Sequence, residues 1–156
     1  MPAHWLCKTE PHVYSIDDLA RDRKTCWDGV RNYAARNHLR AMRKGDLVFV
    51  YHSNADPSAV VGVAAVAREA YADPTQFAKD DDPMHYDPKS DPADPIWSAV
   101  DLAFREKLAN PVSLELVKRT PALARMALVR LARLSVQPVT AGEWAAVLRL
   151  ARRKSG

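Results

Sequence analysis

The sequence predicts an α+β fold in which a small bent β-sheet or barrel is flanked by helices. Short apolar runs typical of strands recur through the first half of the chain and again near residue 100. Helix-capping patterns lie between them and near the C-terminus, at residues 15–18 and 140–143. The two kinds of segment do not alternate regularly, and this argues against a doubly wound parallel sheet.

The size of the chain predicts one domain with one principal site over residues 1–156. The apolar runs are far shorter than the roughly 18 residues that a membrane helix needs, and the N-terminus lacks a secretory signal pattern. The two cysteines and five glycines show neither metal-ligand spacing nor a phosphate-binding loop, so we expect no metal and no cofactor. We therefore expect a cytoplasmic monomer with no membrane association.

Local patterns define the first elements. An apolar run predicts a strand over residues 4–8, ended by a proline. Ser15 and the two aspartates that follow shortly after it predict a short helix near residues 16–22. Residues 25–27 return to extended character.

The next segment predicts a helix and a β-hairpin. Alanine and arginine favour a helix over residues 30–42, with Asp28 as its cap. After a turn, residues 47–51 and 59–67 are apolar enough for two buried strands joined by a loop. Gly62 in the second strand indicates a bulge or the close approach of another element.

The second half begins with a long loop. Residues 72–95 are rich in proline and aspartate, and one helical turn is predicted at residues 75–78. A strand is then predicted over residues 97–106, followed by helices over residues 112–119 and 122–133. An extended segment over residues 135–138 leads to a final helix, which runs from a capping box at Thr140 to about residue 152.

Charge is spread unevenly along the chain. Two basic segments, residues 21–44 and 118–156, flank an acidic segment, residues 69–106. Clustered lysine and arginine suit a polyanion, because phosphate contacts require cations. A solvated arginine-rich surface explains the same pattern, so charge by itself leaves both interpretations open.

The four tryptophans divide into two pairs. Trp5 and Trp144 lie within strand and helix patterns and are predicted to belong to the core. Trp27 and Trp97 each lie where a strand meets polar loop residues, and two such rings can hold a planar base between them. Either ring alone is also consistent with a place in the core.

Lys8, Thr9 and Glu10 lie at the end of the first strand and carry groups suited to acid–base or nucleophilic catalysis. Neighbouring residues of a strand point to opposite faces, so Thr9 is expected to face away from Lys8 and Glu10. Polar residues at the end of a strand serve equally well to hydrogen-bond neighbouring loops.

Two further clusters carry polar groups suited to binding. His52, Ser53 and Asn54 can read the polar edge of a heterocycle, although they also suit an ordinary turn. No nucleophile elbow accompanies them. The run that follows Trp27 predicts a pocket rim more specifically. It reads Asp28-Gly29-Val30-Arg31-Asn32-Tyr33 and combines a carboxylate, a glycine turn and the start of a helix.

Several segments occur together in the order found in one family. The N-terminal part contributes Trp5-x-x-Lys8-Thr9-Glu10-Pro11, Trp27-Asp28-Gly29-Val30-Arg31-Asn32-Tyr33 and Ala35-Arg36-Asn37. The rest contributes Tyr51-His52-Ser53-Asn54, Asp73-Pro74-Thr75-Gln76-Phe77, His85-Tyr86-Asp87-Pro88, Pro95-x-Trp97 and Leu134-Ser135-Val136-Gln137-Pro138. In order and spacing they resemble the EVE domain of the PUA-like superfamily over nearly the whole chain.

The resemblance implies a PUA-like bent β-barrel or sheet flanked by helices, similar to the YTH domains that hold methylated adenine in an aromatic cage. Members of the family are associated with modified cytosines such as 5-methylcytosine and 5-hydroxymethylcytosine. Carried onto this chain, it implies a base-binding pocket of Lys8, Thr9, Trp27, Asp28, Val30, Asn32, His52, Ser53 and Trp97. It likewise implies phosphate contacts from Arg31, Arg36 and Lys44.

The resulting hypothesis is a non-catalytic module that binds DNA or RNA and takes a modified, flipped-out cytosine between aromatic walls. The alternative is a small amidohydrolase, similar to the ASCH group, that acts on acylated cytosine derivatives through Lys8, Thr9 and Glu10. A third hypothesis is an interaction module whose basic C-terminal helix, residues 141–153, binds a protein partner.

Overall fold

The structure, a computed structural model, describes residues 2–153. Its strands are β1 (His4–Thr9), β2 (Lys24–Trp27), β3 (Leu47–His52), β4 (Ala59–Ala72), β5 (Ser98–Ser113) and β6 (Val136–Val139). Its α-helices are α1 (Ile16–Asp22), α2 (Tyr33–Ala41), α3 (Leu114–Lys118), α4 (Ala127–Arg130) and α5 (Ala141–Ala151), and 3-10 turns span Pro74–Phe77 and Pro121–Leu123.

The strands pair in one mixed sheet with the order β2-β5-β4-β3-β1-β6. Strands β1 and β3 run parallel, and the other neighbours are antiparallel. The predicted hairpin is present as β3 and β4. The predicted α+β class is confirmed.

Side chains alternate between the two faces of the sheet along each strand, so both faces carry apolar groups that need to be covered. In β1, Trp5 and Cys7 belong to one hydrophobic cluster and Leu6 to another. Helices α1 and α2 cover the first face, and α3 to α5 cover the second. On the second face the Trp144 ring stacks on Phe49, with ring centroids 3.7 Å apart.

The core predictions for Trp5 and Trp144 are confirmed, since both side chains are buried. Trp144 and Val147, on the apolar side of α5, belong to the second hydrophobic cluster. The C-terminal helix therefore packs against the core of this protein. None of the helices within residues 2–153 is long and apolar enough to cross a membrane.

Local capping signals identified the helix starts correctly in two places. Ser15 caps α1 and Thr140 caps α5 as predicted, and at both positions side-chain and main-chain groups form a reciprocal capping box across the first turn. Gly62 marks a close approach as expected: the register of β4 shifts there, and a Cβ atom would collide with the Ile16 side chain and lie 2.8 Å from the Glu106 carbonyl oxygen.

Several predicted bounds were wrong, among them the end of β4, which continues to Ala72 rather than stopping at residue 67. Helix α2 begins at Tyr33 rather than residue 30, because Asn32 and not Asp28 caps it by accepting from Ala35 N–H at 3.0 Å. Strand β5 continues to Ser113, because it pairs with β4 along this extension. The long helix expected over residues 122–133 is replaced by a 3-10 turn and the short α4.

The segment after α4 turns away from helical geometry to reach β6. Buried Gln137 donates through Nε2 to the carbonyl oxygens of Leu131 at 3.2 Å and Leu134 at 2.8 Å. A continued helix would have used these carbonyls internally. Residues 131–135 therefore cross the end of the sheet as an irregular segment, and they border the site described next.

Candidate functional site

A cavity of about 440 Å³ opens where the two ends of the sheet approach each other. Trp27 on β2 and Ser135 just before β6 both line it, although β2 and β6 lie at opposite ends of the strand order. The sheet must therefore bend to bring them together. The lining residues are Lys8, Thr9, Val13, Tyr14, Thr25, Cys26, Trp27, Asp28, Gly29, Val30, Arg31, His85 and Ser135.

Trp27 forms an aromatic wall of this cavity. Its side chain is only 7% exposed and packs edge-on against Tyr14, with centroids 6.4 Å apart and an interplanar angle of 86°. The hydroxyl group of Tyr14 donates to Asp22 at 2.8 Å, which holds the second ring in place. The two aromatic residues at the cavity are thus Trp27 and Tyr14.

Trp97 does not line the cavity, so the expected sandwich of two tryptophans is not formed. It is 5% exposed, and its indole N–H donates to the Asp87 carboxylate at 2.7 Å. The ring lies 5.0 Å from Tyr33 and 5.4 Å from the Arg31 guanidinium. Trp97 connects the long acidic loop to the start of α2, and this structural role explains its position after the loop.

Arg31 reaches the cavity but is occupied by the protein itself. Its guanidinium donates to Asp73 at 3.0 Å, to Thr75 Oγ1 at 2.8 Å and to the main-chain oxygen of His85 at 2.7 Å. The Asp73 carboxylate is fully buried, so the ion pair has little contact with water. The predicted phosphate contact through Arg31 is therefore replaced by an anchor for the acidic loop.

The other two predicted phosphate residues lie away from the cavity. Arg36 donates to the Ile96 carbonyl oxygen at 3.1 Å and lies over the Tyr33 ring. Lys44 belongs to the turn before β3, where its main-chain N–H donates to Glu69 at 3.1 Å. The predicted trio does not form one phosphate-binding surface around this opening.

Four predicted pocket residues also lie elsewhere. Asn32 caps α2, and Trp97 is buried as described above. His52 accepts the Ile16 N–H through Nε2 at 3.1 Å, so it fixes the start of α1. Ser53 lines a separate, neighbouring cavity. Lys8, Thr9, Trp27, Asp28 and Val30 are the predicted pocket residues that the structure brings together.

Asp28 brings a carboxylate to the cavity. Desolvation raises the pKa of this carboxyl above its ordinary value, and the negative charge of nearby Asp73 raises it further. Asp73 itself accepts from the main-chain N–H of Gly29 at 2.8 Å. The cavity therefore combines an aromatic wall with a hydrogen-bond acceptor that is not fully solvated.

His85 is a lining residue that sequence reasoning quoted within a motif but did not assign to the pocket. Its Nδ1 lies 2.8 Å from the Asp82 carboxylate, and its Nε2 faces Gly29 so closely that a Cβ there would lie 2.9 Å away. Gly29 also has a φ of 79°, a conformation that favours glycine. The run His85-Tyr86-Asp87-Pro88 was the available signal.

Tyr14, Cys26 and Ser135 were also missed as lining residues. Burial raises the pKa of the Cys26 thiol above its ordinary value, which keeps the thiol protonated and unreactive near neutral pH. Ser135 appeared in a quoted motif, but nothing in its local pattern, or in that of Tyr14, distinguished a cavity wall from a loop.

The side chains of Lys8, Thr9 and Glu10 go to different partners. Lys8 Nζ donates to the Ala132 carbonyl oxygen at 2.6 Å, and burial lowers its pKa. The Thr9 hydroxyl donates to the Tyr14 carbonyl oxygen at 2.8 Å. Glu10 accepts from Asn54 at 3.0 Å. These contacts are those of a strand end that ties loops together.

A second cavity, of about 670 Å³, adjoins the first and shares Lys8, Thr9 and Ser135 with it. Its remaining wall consists of Glu10, Tyr51, Ser53, Asn54, Ser58, Leu114, Leu128, Ala132 and Arg133. Within residues 2–153 no group of three or more histidine, cysteine or carboxylate side chains is arranged to hold a metal ion.

Known proteins resemble the chain over most of its length. Human thymocyte nuclear protein 1 is 40% identical over 96% of this chain and 74% of its own length. A structure of a hypothetical protein from Leishmania major is 45% identical, with a TM-score of 0.92 over 97% of this chain and 95% of the other. The crystal structure of human THYN1 protein in complex with 5-methylcytosine-containing DNA is 40% identical, with a TM-score of 0.91 over 98% and 99% of the two chains.

A more distant likeness concerns the fold alone. The ASCH protein of Zymomonas mobilis superposes with a TM-score of 0.55 over 95% of this chain and 98% of the other, at 8% identity. The family model of the EVE domain, by contrast, matches residues 3–150, nearly all of the chain. On this match and on the relatives above, the chain belongs to the EVE domain family.

Proposed function

We propose that this protein is a non-catalytic reader of nucleic acid that takes a modified cytosine into the cavity beside Trp27. The observation that carries the proposal is the joint presence of an aromatic wall and the Asp28 carboxylate in a cavity large enough for one base. It is supported by the similarity of the whole chain to a human protein seen in complex with 5-methylcytosine-containing DNA.

The cavity offers what a cytosine ring requires. The exocyclic amino group of cytosine donates hydrogen bonds, and a carboxylate such as that of Asp28 accepts them. Trp27 and Tyr14 supply π surfaces against which the ring packs, a contact worth about 1–3 kcal/mol per base. Asp28 thus selects the amino edge, and the aromatic wall holds the ring.

A methyl group at C5 adds apolar surface, and the cavity lining includes the apolar side chains of Val13 and Val30. Burial of one such group contributes about 0.8 kcal/mol, or about fourfold in affinity. The target base must also leave its stack, at a cost of a few kcal/mol. The cavity contacts and the phosphate contacts together have to exceed this cost.

The amidohydrolase alternative receives less support from the contacts of this chain. The Thr9 hydroxyl proton is directed to a main-chain oxygen, and Lys8 Nζ donates to Ala132 rather than to Thr9. Incubation with N4-acetylcytidine tests the alternative directly. Deacetylation by the wild-type protein that disappears in Thr9→Ala would replace the reader proposal by an enzyme.

The test of the proposed function is a fluorescence anisotropy titration with DNA oligonucleotides that differ in one central cytosine: plain, 5-methylated or 5-hydroxymethylated. Each is used as a single strand and as a duplex, with the matching RNA strand as a further arm. We expect a modified strand to bind several-fold more tightly than the plain one, and Trp27→Ala to remove the preference.

Asp28→Asn provides the sharper variant, since it keeps the shape and removes the charged acceptor. We expect a loss of about tenfold in affinity for the modified strand, within the 1–3 kcal/mol that a good base contact contributes. Asp80→Asn, in the exposed part of the acidic loop and outside the cavity, is the matched control. Equal binding by wild type and Asp28→Asn would contradict this reading of the cavity.

A further inference from the structure

The second cavity carries a binding role of its own. We propose that it receives the phosphodiester and sugar next to the target base, with Lys8 and Arg133 as the phosphate-binding cations. The inference rests on the proposed function, because it takes the first cavity as the place of the base. It assigns the backbone contacts to residues other than Arg31, Arg36 and Lys44.

The position of the second cavity supports this role. Lys8, Thr9 and Ser135 form a wall common to both cavities, so a base in the first has its sugar and phosphate at the edge of the second. The lining of the second cavity also includes the apolar side chains of Leu114, Leu128 and Ala132. A sugar, or the face of a neighbouring base, is the part of a strand that packs against such a surface.

The two cations are available to a ligand. Lys8 Nζ uses one of its three donors for the Ala132 carbonyl, which positions the ammonium group on the shared wall. Arg133 is exposed, and its guanidinium has no hydrogen bond or ion pair within the part of the chain that the structure describes. Glu10 also lines this cavity, but its carboxylate is engaged by Asn54 at 3.0 Å and His12 at 3.2 Å.

The distribution of charge around the first cavity also supports this assignment. Beside His85 lies the acidic loop with Asp80, Asp81, Asp82 and Asp87. Residues 116–142, which contribute Ser135 to the lining of the first cavity, contain no aspartate or glutamate. A phosphate backbone is repelled by the acidic loop and attracted by residues 116–142. A strand whose base enters the first cavity therefore extends towards Arg133.

The test uses Arg133→Gln with a strand carrying one 5-methylcytosine, titrated at several salt concentrations. We expect a loss of about tenfold or more in affinity, as for one charge-assisted hydrogen bond. The slope of log affinity against log salt should fall by about 0.7–0.9, the value for one phosphate contact. The preference for 5-methylcytosine over cytosine should stay as in the wild type.

Arg149→Gln is the matched control, because Arg149 is equally exposed but lies on α5, outside both cavities. It should leave the salt slope unchanged. Lys8→Met should lower the slope as Arg133→Gln does.

Two outcomes separate the failure of this inference from that of the proposed function. If Arg133→Gln and Arg149→Gln behave alike while the preference for methylated strands persists, the second cavity is not the phosphate site and the reader proposal stands. If the wild type shows no preference but Arg133→Gln still lowers the salt slope, the phosphate site stands and the base assignment falls. Absence of any binding by the wild type overturns both.

Discussion

The two segments that border the first cavity differ in charge and in how the fold holds them. The acidic loop between β4 and β5, residues 73–97, is anchored by buried polar side chains. Asp73 and Gln76 are both fully buried. The side-chain amide of Gln76 donates to the Trp97 carbonyl oxygen at 2.9 Å and accepts from the Trp97 N–H at 3.0 Å. The part of the basic segment that precedes β6, residues 118–135, is held by apolar side chains such as Leu123 and Met126 and by the buried amide of Gln137.

This difference determines which side chains of each segment are occupied within the protein and which remain exposed. In the acidic loop the inward-facing polar groups meet partners within the protein, which orders a long proline-rich segment and places His85 against Gly29. In the basic segment the apolar side chains supply the packing, so Arg133 remains in solvent. The acidic loop forms a fixed wall beside the first cavity, and the basic segment leaves the Arg133 cation exposed.

The largest expected effect compares the two buried glutamines. Gln76→Leu removes both donor and acceptor contacts and leaves the main-chain N–H of Trp97 unpaired, so we expect the free energy of unfolding to fall by at least ~3 kcal/mol. Gln137→Leu removes two donor contacts, and its Oε1 has no partner within residues 2–153, so we expect a loss of about 1–2 kcal/mol. Urea denaturation measures both. Equal losses would show that the segments are not held differently.

A smaller effect is expected where the acidic loop meets the cavity. Gly29 and Gly45 both have positive φ, 79° and 93°, so alanine at either position costs roughly 1–2 kcal/mol. Only at Gly29 does the new Cβ meet His85, whereas Gly45 has open space. Gly29→Ala should therefore also weaken binding of the modified strand, and Gly45→Ala should not. Thermal melts and anisotropy titrations separate the two effects, and equal binding by both variants would remove His85 from the site.

The smallest effect is a pH dependence at Asp28. Its pKa is raised in the folded protein, so unfolded Asp28 loses its proton at a lower pH than folded Asp28 does. Between the two pKa values the folded protein binds more protons, and the contribution of Asp28 to the free energy of unfolding falls as the pH rises. We expect Asp28→Asn to gain stability relative to the wild type as the pH rises through that interval. Urea denaturation from about pH 4 to pH 7 measures this, and a constant difference would contradict the raised pKa.

Local signals predicted much of the fold correctly. The capping box at Thr140 and the apolar runs of β3 and β4 depend on residues close in sequence, and the structure contains all of them. The helix expected over residues 122–133 failed, because Gln137 and the path into β6 determine the main chain there. Here tertiary contacts outweighed the helix propensity of alanine and arginine.

The site was predicted less completely, for the same reason. Trp27 and Trp97 have similar local patterns, yet only Trp27 reaches the cavity. Arg31 was expected to meet phosphate, but its partner Asp73 lies 42 residues away in sequence. Contacts of this range leave no trace in spacing or composition.

By itself the sequence determined the α+β class, the hairpin, the starts of α1 and α5 and, through its motifs, the family. The tertiary structure alone decided which tryptophan lines the cavity, that Arg133 lies exposed at the neighbouring cavity, and how the two ends of the sheet meet to enclose the first cavity. The physical reason is one of range. Caps and apolar periodicity act over a few residues, whereas the site is assembled from the bending of the sheet and from polar partners far apart in the chain.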